Sequence, residues 1–455
     1  MAETNDKHLR LPQIPQGEYY EDFIASMLCI GGFYIEKRIE MLEPINILEL
    51  DVVSTKLSSD GIDKTLIEIK SGKWGMPDVF KVRGWLDFLK YNKASFISLN
   101  NSREEFEQCQ HVAEVLQITL LNIDITADGK IDAQSFKRAY GISNDEDKTF
   151  DYAVACLRYS FCLERILIDK YLKPLTKDPN NSCACSHIRD YIRKVTQHSF
   201  FLGDTNKRIQ EVFEAYIKYK NITARIDKMM REGGGNFEEI VASGILPDTF
   251  RKIFYEVSGG QKHYLHVALY SELICRLTIL KQCIEVMIDA EHEPVLLKNA
   301  MKSSLASNLR NAITILKGHT YFYLYPHFWQ IFIFLFGGFI LTDKKEDEYV
   351  LLSKFTGIPT NEIENALQAF DILFPLDRGR WLIQKPNTTI MILQFMPLPF
   401  CGIGANFRRM VYNKEGDLTY ENLEKQLTER FTFMDLIKYN NLAIEYLSMD
   451  AKLHN

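Results

Sequence analysis

The segment that most constrains the fold is Leu66-Ile67-Glu68-Ile69-Lys70, closed by Ser71-Gly72. Its apolar residues read as a buried strand. Side chains alternate along a strand, so Leu66, Glu68 and Lys70 share one face, and Ile67 and Ile69 take the other. An acid and a base on a strand of this type are costly unless the charges do something. A second apolar strand, Ile45–Val53, carries Asp51, 17 positions before Glu68. That gap accommodates a loop, read as Ser54–Lys64, and antiparallel pairing that lays Asp51 beside Glu68. Adjacent carboxylates repel and raise each other's pKa. A hard divalent cation relieves the repulsion, and oxygen ligands suit Mg²⁺. Lys70, on the same face as Glu68, is placed to orient or help deprotonate an attacking water and to stabilise transition-state charge. Glu49 shares the face of Asp51 and reads as a solvated strand end. Asp63 lies too close to Glu68 for a hairpin and reads as turn.

The surrounding pattern gives the architecture. Gly17–Ile30 carries a helical apolar stripe (Phe23, Ile24, Met27, Leu28, Ile30) and ends at Gly31-Gly32. Strands are expected at Phe33–Ile39, Ile45–Val53, Thr65–Lys70, Ala94–Leu99 and Ile118–Ile123, and helices at Pro77–Asn92 and Arg103–Leu116. The order is αβββαβαβ. Three successive strands suggest an antiparallel meander, and the later strand–helix–strand suggests a parallel crossover.

This order, with Glu21 in Tyr20-Glu21-Asp22-Phe23 on the first helix, Asp51 in Leu-Asp-Val, and Glu68-Ile-Lys70, resembles the PD-(D/E)xK nuclease superfamily, the restriction-endonuclease-like fold. The layout is most similar to the Mrr and archaeal Holliday-junction-resolvase branch. The resemblance covers roughly residues 17–125. It implies Mg²⁺-dependent hydrolysis of phosphodiester bonds, usually in DNA, with Mn²⁺ able to substitute. Asp51, Glu68, Lys70 and Glu21 would be catalytic. Asp51 and Glu68 would hold the metal, and Glu21 would assist as a ligand. The tripeptide also occurs at Asp128/Lys130, Glu146/Lys148, Asp343/Lys345 and Asp450/Lys452, but none of these lies in an apolar strand preceded by an acidic one. Lys73, Trp74, Lys81 and Arg83 follow the motif and are candidates for contact with nucleic acid.

The chain's 455 residues suggest two to four domains at about 100–200 residues each. The expected division is a nuclease domain at 1–145, a helical domain at 146–320, a winged-helix-like domain at 321–400 and a C-terminal extension at 401–455. The middle carries helical patterns at Tyr152–Tyr171, His187–Thr196, Asn206–Arg231, Tyr264–Ile288 and Pro294–Leu316, with a glycine hinge at 232–236. A helix beginning at His327, helices at Glu346–Thr356 and Asn361–Asp371, then strands at Arg380–Gln384 and Thr388–Phe395, follow the winged-helix order. The Asn361–Asp371 helix carries Glu362, Glu364 and Asp371 and no Lys or Arg, so it reads as a protein interface rather than a groove reader.

A hydrophobic content of 46% against 25% charged residues excludes disorder and fibrous structure. With a net charge of −6, nucleic-acid binding must come from a local basic face. The first residues have no apolar core, so no secretory signal is read. Nine scattered cysteines suggest a reducing, cytoplasmic setting. The apolar stretch Tyr321–Leu341 is interrupted by Pro326, His327, Gln330 and Gly337-Gly338 and reads as a buried helix rather than a membrane span. The large non-catalytic part resembles effector nucleases of prokaryotic anti-phage defence, which act as homodimers or in larger complexes with a sensor or partner protein. An RNA substrate, or a non-catalytic binding subunit on the same fold, are the alternatives. Asp124–Ser135 lacks the twelfth-position Glu of a calcium loop and reads as a turn. Cys183, Cys185 and His187, the pair His263 and His266, and Val257–Gln261 lack the partners that zinc or nucleotide binding requires.

Overall fold

The computed structural model describes residues 11–41, 48–58, 60–100, 103–142, 148–166, 198–202, 207–212, 214–215, 277–286, 288, 313–314, 326–331 and 345–366. The expected glycine hinge, the strands at 380–395, the pairs around 183–187 and 257–266 and the last 50 residues lie outside these.

The N-terminal part is a mixed α/β sheet with helices packed against it. Its elements are α1 (Glu18–Ile30), β1 (Tyr34–Met41), β2 (Leu48–Ser58), β3 (Gly61–Lys70), α2 (Met76–Leu89), β4 (Lys93–Leu99), α3 (Arg103–Val115), β5 (Ile118–Ile125), β6 (Ile131–Asp132), α4 (Gln134–Ala139) and α5 (Lys148–Ile166). The strands lie in sequence order, β1-β2-β3-β4-β5-β6. The first three pair antiparallel, and β3–β4 and β4–β5 pair parallel through α2 and α3. Short connections leave the first three strands antiparallel, and each parallel step needs a helical crossover.

One sheet face carries Val53, Leu66, Ala94, Phe96 and Leu120, which form a core with Val79, Val82 and Leu86 of α2 and Ala113 of α3. Ile67, Ile69 and Ile97 alternate to the other side and are likewise buried. There α1 lies against β1–β3, with α5 packed on it. Gly75 precedes α2, where the Asp78 carboxylate accepts the Gly75 N–H at 2.9 Å and Pro77 sits in the first turn. Lys90, with φ 58°, ends the helix. This is earlier than the expected Asn92.

The expected loop Ser54–Lys64 is instead the continuation of two strands. β2 and β3 pair from Val52↔Ile67 to Ser58↔Gly61. Gly61, with φ 134°, allows the tight reversal that a Cβ would resist. Asp63 therefore lies in β3, not in a turn. It stands opposite Lys56 and pairs with Lys93 Nζ at 2.6 Å on the exposed rim. The segment 124–135 is a turn, as expected, but one closing a small β5–β6 hairpin around Gly129, followed by α4, which the pattern did not suggest.

Parts of the later chain pack on this sheet. Residues 277–286 are helical and buried, as are 207–212 in part. The short helix Pro326–Ile331 covers the edge strand β1: Gln330 Nε2 donates to Ile35 O at 2.7 Å and its Oε1 accepts the Ile35 N–H at 2.9 Å. The polar residues that interrupt the 321–341 stretch thus have a use, since this side chain stands in for a neighbouring strand. Among the described residues no helix is long and apolar enough to cross a membrane. Lys345–Thr356 forms the expected helix, and Pro359 leads into a 3-10 turn, Thr360–Glu362, that continues as helix through 366.

Candidate active site

The site is built where β2 parts from β3. The β2–β3 ladder ends at Val52↔Ile67, and on the other side the β1–β2 register steps over the Arg38/Asp51 position, where Arg38 has φ 49°. Past the end of the β2–β3 ladder, the Asp51 side chain replaces a backbone partner: Oδ2 accepts the Ile69 N–H at 2.8 Å. Continued one step past its last pair, the register would set Glu68 opposite Asp51, and the two carboxylates are near enough for Glu68 to raise the Asp51 pKa.

Glu68 is 1% exposed on the α2 face. Its Oε1 takes two ammonium groups, Lys70 Nζ at 2.6 Å and Lys81 Nζ at 3.3 Å. Its Oε2 is buried with no hydrogen-bond partner. A carboxylate oxygen shut from water without a donor is costly, and a bound cation would satisfy it. Burial first, then repulsion from Glu68 and Glu21, push the Asp51 carboxyl up to about 8, against the opposing pull of the Ile69 N–H and Lys70. Burial favours a neutral Lys70, but the Glu68 carboxylate, with Asp51 and Asp78, more than offsets it and holds the ammonium pKa above its usual value. Lys70 is therefore a fixed positive charge here rather than a free base.

Glu21 approaches from α1, whose start is tied to the end of β3 by the Gly17 N–H donating to Ser71 Oγ at 2.6 Å. It adds to the repulsion on Asp51, but its own Oε2 is held by Arg38 Nε at 3.0 Å. Burial, followed by the repulsion of Asp22, Glu18 and Glu49 against the pull of Arg38, raises its pKa. Among the described residues no three His, Cys, Asp or Glu side chains are grouped to hold a metal. Two carboxylates suffice for Mg²⁺, which keeps several of its waters and is commonly bound through one or two of them. The orphaned Glu68 oxygen and the second oxygen of Asp51 would be the groups to hold such an ion.

Of the residues expected to contact nucleic acid, Lys81 joins the site directly and also lies over the Trp85 ring at 4.2 Å. Lys73 is exposed on the loop that follows β3. Trp74 packs on Phe96 at 4.7 Å as part of the core edge. Arg83 turns away, pairing with Asp87 at 2.7 Å and donating to Leu116 O and Gln117 Oε1. Sequence reasoning missed Arg38. It also missed Asp22, 1% exposed, whose carboxylate meets Arg38 at 2.9 Å and Arg165 at 3.2 Å. The signal available for Asp22 was its place next to the apolar stripe that begins at Phe23; Arg165 lies 143 positions away and gave none.

A second charged cluster lies farther along the same sheet face. Lys281 bridges Glu36 at 2.9 Å and Glu285 at 2.7 Å, and Glu285 also meets Lys64 at 3.1 Å and Arg208 at 3.5 Å. It joins residues 277–286 to β1 and β3. No protein-family model, curated protein or solved structure matches the chain.

Proposed function

We propose that this chain is a metal-dependent nuclease of the restriction-endonuclease-like type, hydrolysing phosphodiester bonds in DNA. The observation that carries the reading is Glu68: a buried carboxylate with one oxygen unpartnered, beside Asp51 at the parting of two strands, and neutralised from the other side by two lysines. A purely structural ion pair does not call for a second acid at its edge.

A divalent ion at Asp51 and Glu68, Mg²⁺ in the first place, would supply Lewis-acid polarisation of the phosphoryl oxygen and acidify its water. Asp51 serves as a ligand only after losing its proton, so metal capture strengthens as pH rises toward about 8. Lys70 stays cationic and is placed to hold the anionic nucleophile or the developing phosphorane charge. Lys81, 44% exposed, reaches from the site edge toward solvent, where a phosphate would approach. Glu21, held by Arg38, adds to the negative charge that raises the Asp51 pKa.

The test is cleavage of supercoiled plasmid by the full chain with Mg²⁺, Mn²⁺ or EDTA, with Glu68→Gln alongside and labelled RNA in parallel. Metal-dependent nicking or linearisation that disappears in the variant supports the reading. Metal-dependent cutting of RNA alone moves the substrate to RNA with the same site. Cutting that survives in Glu68→Gln refutes the site assignment.

A further inference from the structure

Two ammonium groups share one oxygen of Glu68, and they are not held alike. Lys70 stands on β3 itself, 2.6 Å from Oε1, and Asp51 and Asp78 attract it as well. Lys81 comes from the second turn of α2 at 3.3 Å, and its side chain is 44% exposed against 30% for Lys70. The Lys81 ammonium also lies 4.2 Å from the centre of the Trp85 ring, one helical turn on. Trp85 is partly buried against the core, so the ring is a fixed perch for a cation at the rim of the site. The other oxygen of Glu68 is buried and has no hydrogen-bond partner.

Lys81 therefore competes with any divalent ion for this carboxylate. With Asp51 ionised, the two acids are balanced by the two lysines. A doubly charged ion on the unpartnered oxygen of Glu68 leaves a positive excess in a site largely shut from water, where like charges repel strongly. The cation to yield is the one that is longer-bonded, more exposed and already supported elsewhere, and that is Lys81. Its flexible stem lets the ammonium move outward. On the solvent side, the anion it meets is a phosphate of an approaching strand.

We propose that Lys81 is a metal-gated phosphate contact: it pairs with Glu68, yields that carboxylate to a divalent ion, and then, resting on Trp85, pairs with a backbone phosphate of the nucleic acid. This rests on the metal-dependent reading above and adds an order of events to it, since the lysine is free to take a phosphate only once the ion has taken Glu68. Lys81 is a positioning residue in this scheme, and Lys70 keeps its place at the carboxylate throughout.

The experiment measures binding of a short labelled DNA duplex to the full chain across a KCl series, in EDTA and in Ca²⁺, the latter so that binding is read apart from cleavage. The variants are Lys81→Met, Lys81→Arg and Glu68→Gln, with circular dichroism as the folding check. One phosphate contact adds about 0.9 to the slope of log affinity against log salt. Wild type and Lys81→Met should share one slope in EDTA, and in Ca²⁺ the wild type should be steeper by about 1. Lys81→Arg should follow the wild type in both. Mn²⁺ affinity without nucleic acid, read by electron paramagnetic resonance, should rise about 5-fold in Lys81→Met, what one half-exposed ion pair is worth. A slope difference that is present in EDTA too, or absent in both media, overturns the inference, as does unchanged Mn²⁺ affinity in Lys81→Met. Failure of the underlying reading shows separately, as Mn²⁺ binding that survives in Glu68→Gln.

Discussion

Asp51→Asn isolates the charge conflict at the site. In the folded chain the Asp51 carboxyl is pushed from its ordinary value of 3.8 up to about 8, by burial first and then by Glu68 and Glu21. A carboxyl whose pKa is raised by folding binds its proton more tightly in the folded state. Its contribution is therefore complete below about pH 4 and is lost as pH rises to about 8. At about 1.4 kcal/mol per unit, the full difference is about 6 kcal/mol. Asp51 is part-exposed, and water screens some of this, leaving about 3 kcal/mol. Asparagine keeps an oxygen for the Ile69 N–H and cannot ionise. Urea unfolding in EDTA, followed by tryptophan fluorescence, should therefore show the wild type losing about 3 kcal/mol relative to Asp51→Asn between about pH 4.5 and pH 9. Mg²⁺ should recover much of that loss in the wild type at high pH and do little for the variant. A stability difference that stays flat across this range would refute the repulsion argument, and with it the main reason for placing a cation there.

Three further outcomes follow from the same geometry. Lys70→Met should lower plasmid cleavage at saturating Mg²⁺ by about 100-fold or more, with the Mg²⁺ midpoint moving far less, measured by a metal titration of the initial rate. Lys281→Met should cost about 3–5 kcal/mol in urea unfolding, because it leaves the buried Glu285 beside the half-buried Glu36 without the cation between them; retained stability would mean that the neighbouring cations suffice. Gln330→Ala should cost about 2–4 kcal/mol by unpairing the N–H and C=O of Ile35, read as a lowered melting temperature and faster hydrogen exchange at Ile35.

The part of the site that follows from strand periodicity was legible. Glu68 and Lys70 share a face because they are two apart, and Asp51 meets Glu68 because β2 and β3 run antiparallel. The length of the hairpin was not legible. Ser54 and Thr55 look like loop residues but are buried in β2, their hydroxyls without hydrogen-bond partners. Polarity misled where the chain accepts an unsatisfied group. Lys81 and Arg83 looked equivalent as basic residues. They lie about 200° apart around a helix of 3.6 residues per turn, so only one of them can face Glu68. Arg38, Gln330 and, in its contact with Glu36, Lys281 act through partners remote in sequence, and no local pattern announces that kind of contact.

The docking of Gln330 on Ile35 sets the timing of folding during synthesis. The two residues are 295 positions apart. At about 5–20 residues per second, the ribosome releases β1 roughly 15–60 s before the amide that closes its edge exists. For that interval the edge of the nascent sheet is an open template, and until residue 285 is made Glu36 and Lys64 also lack Lys281 and Glu285. The chain therefore depends on its surroundings for protection until residue 330 emerges. A slower rate of synthesis lengthens the exposure in proportion.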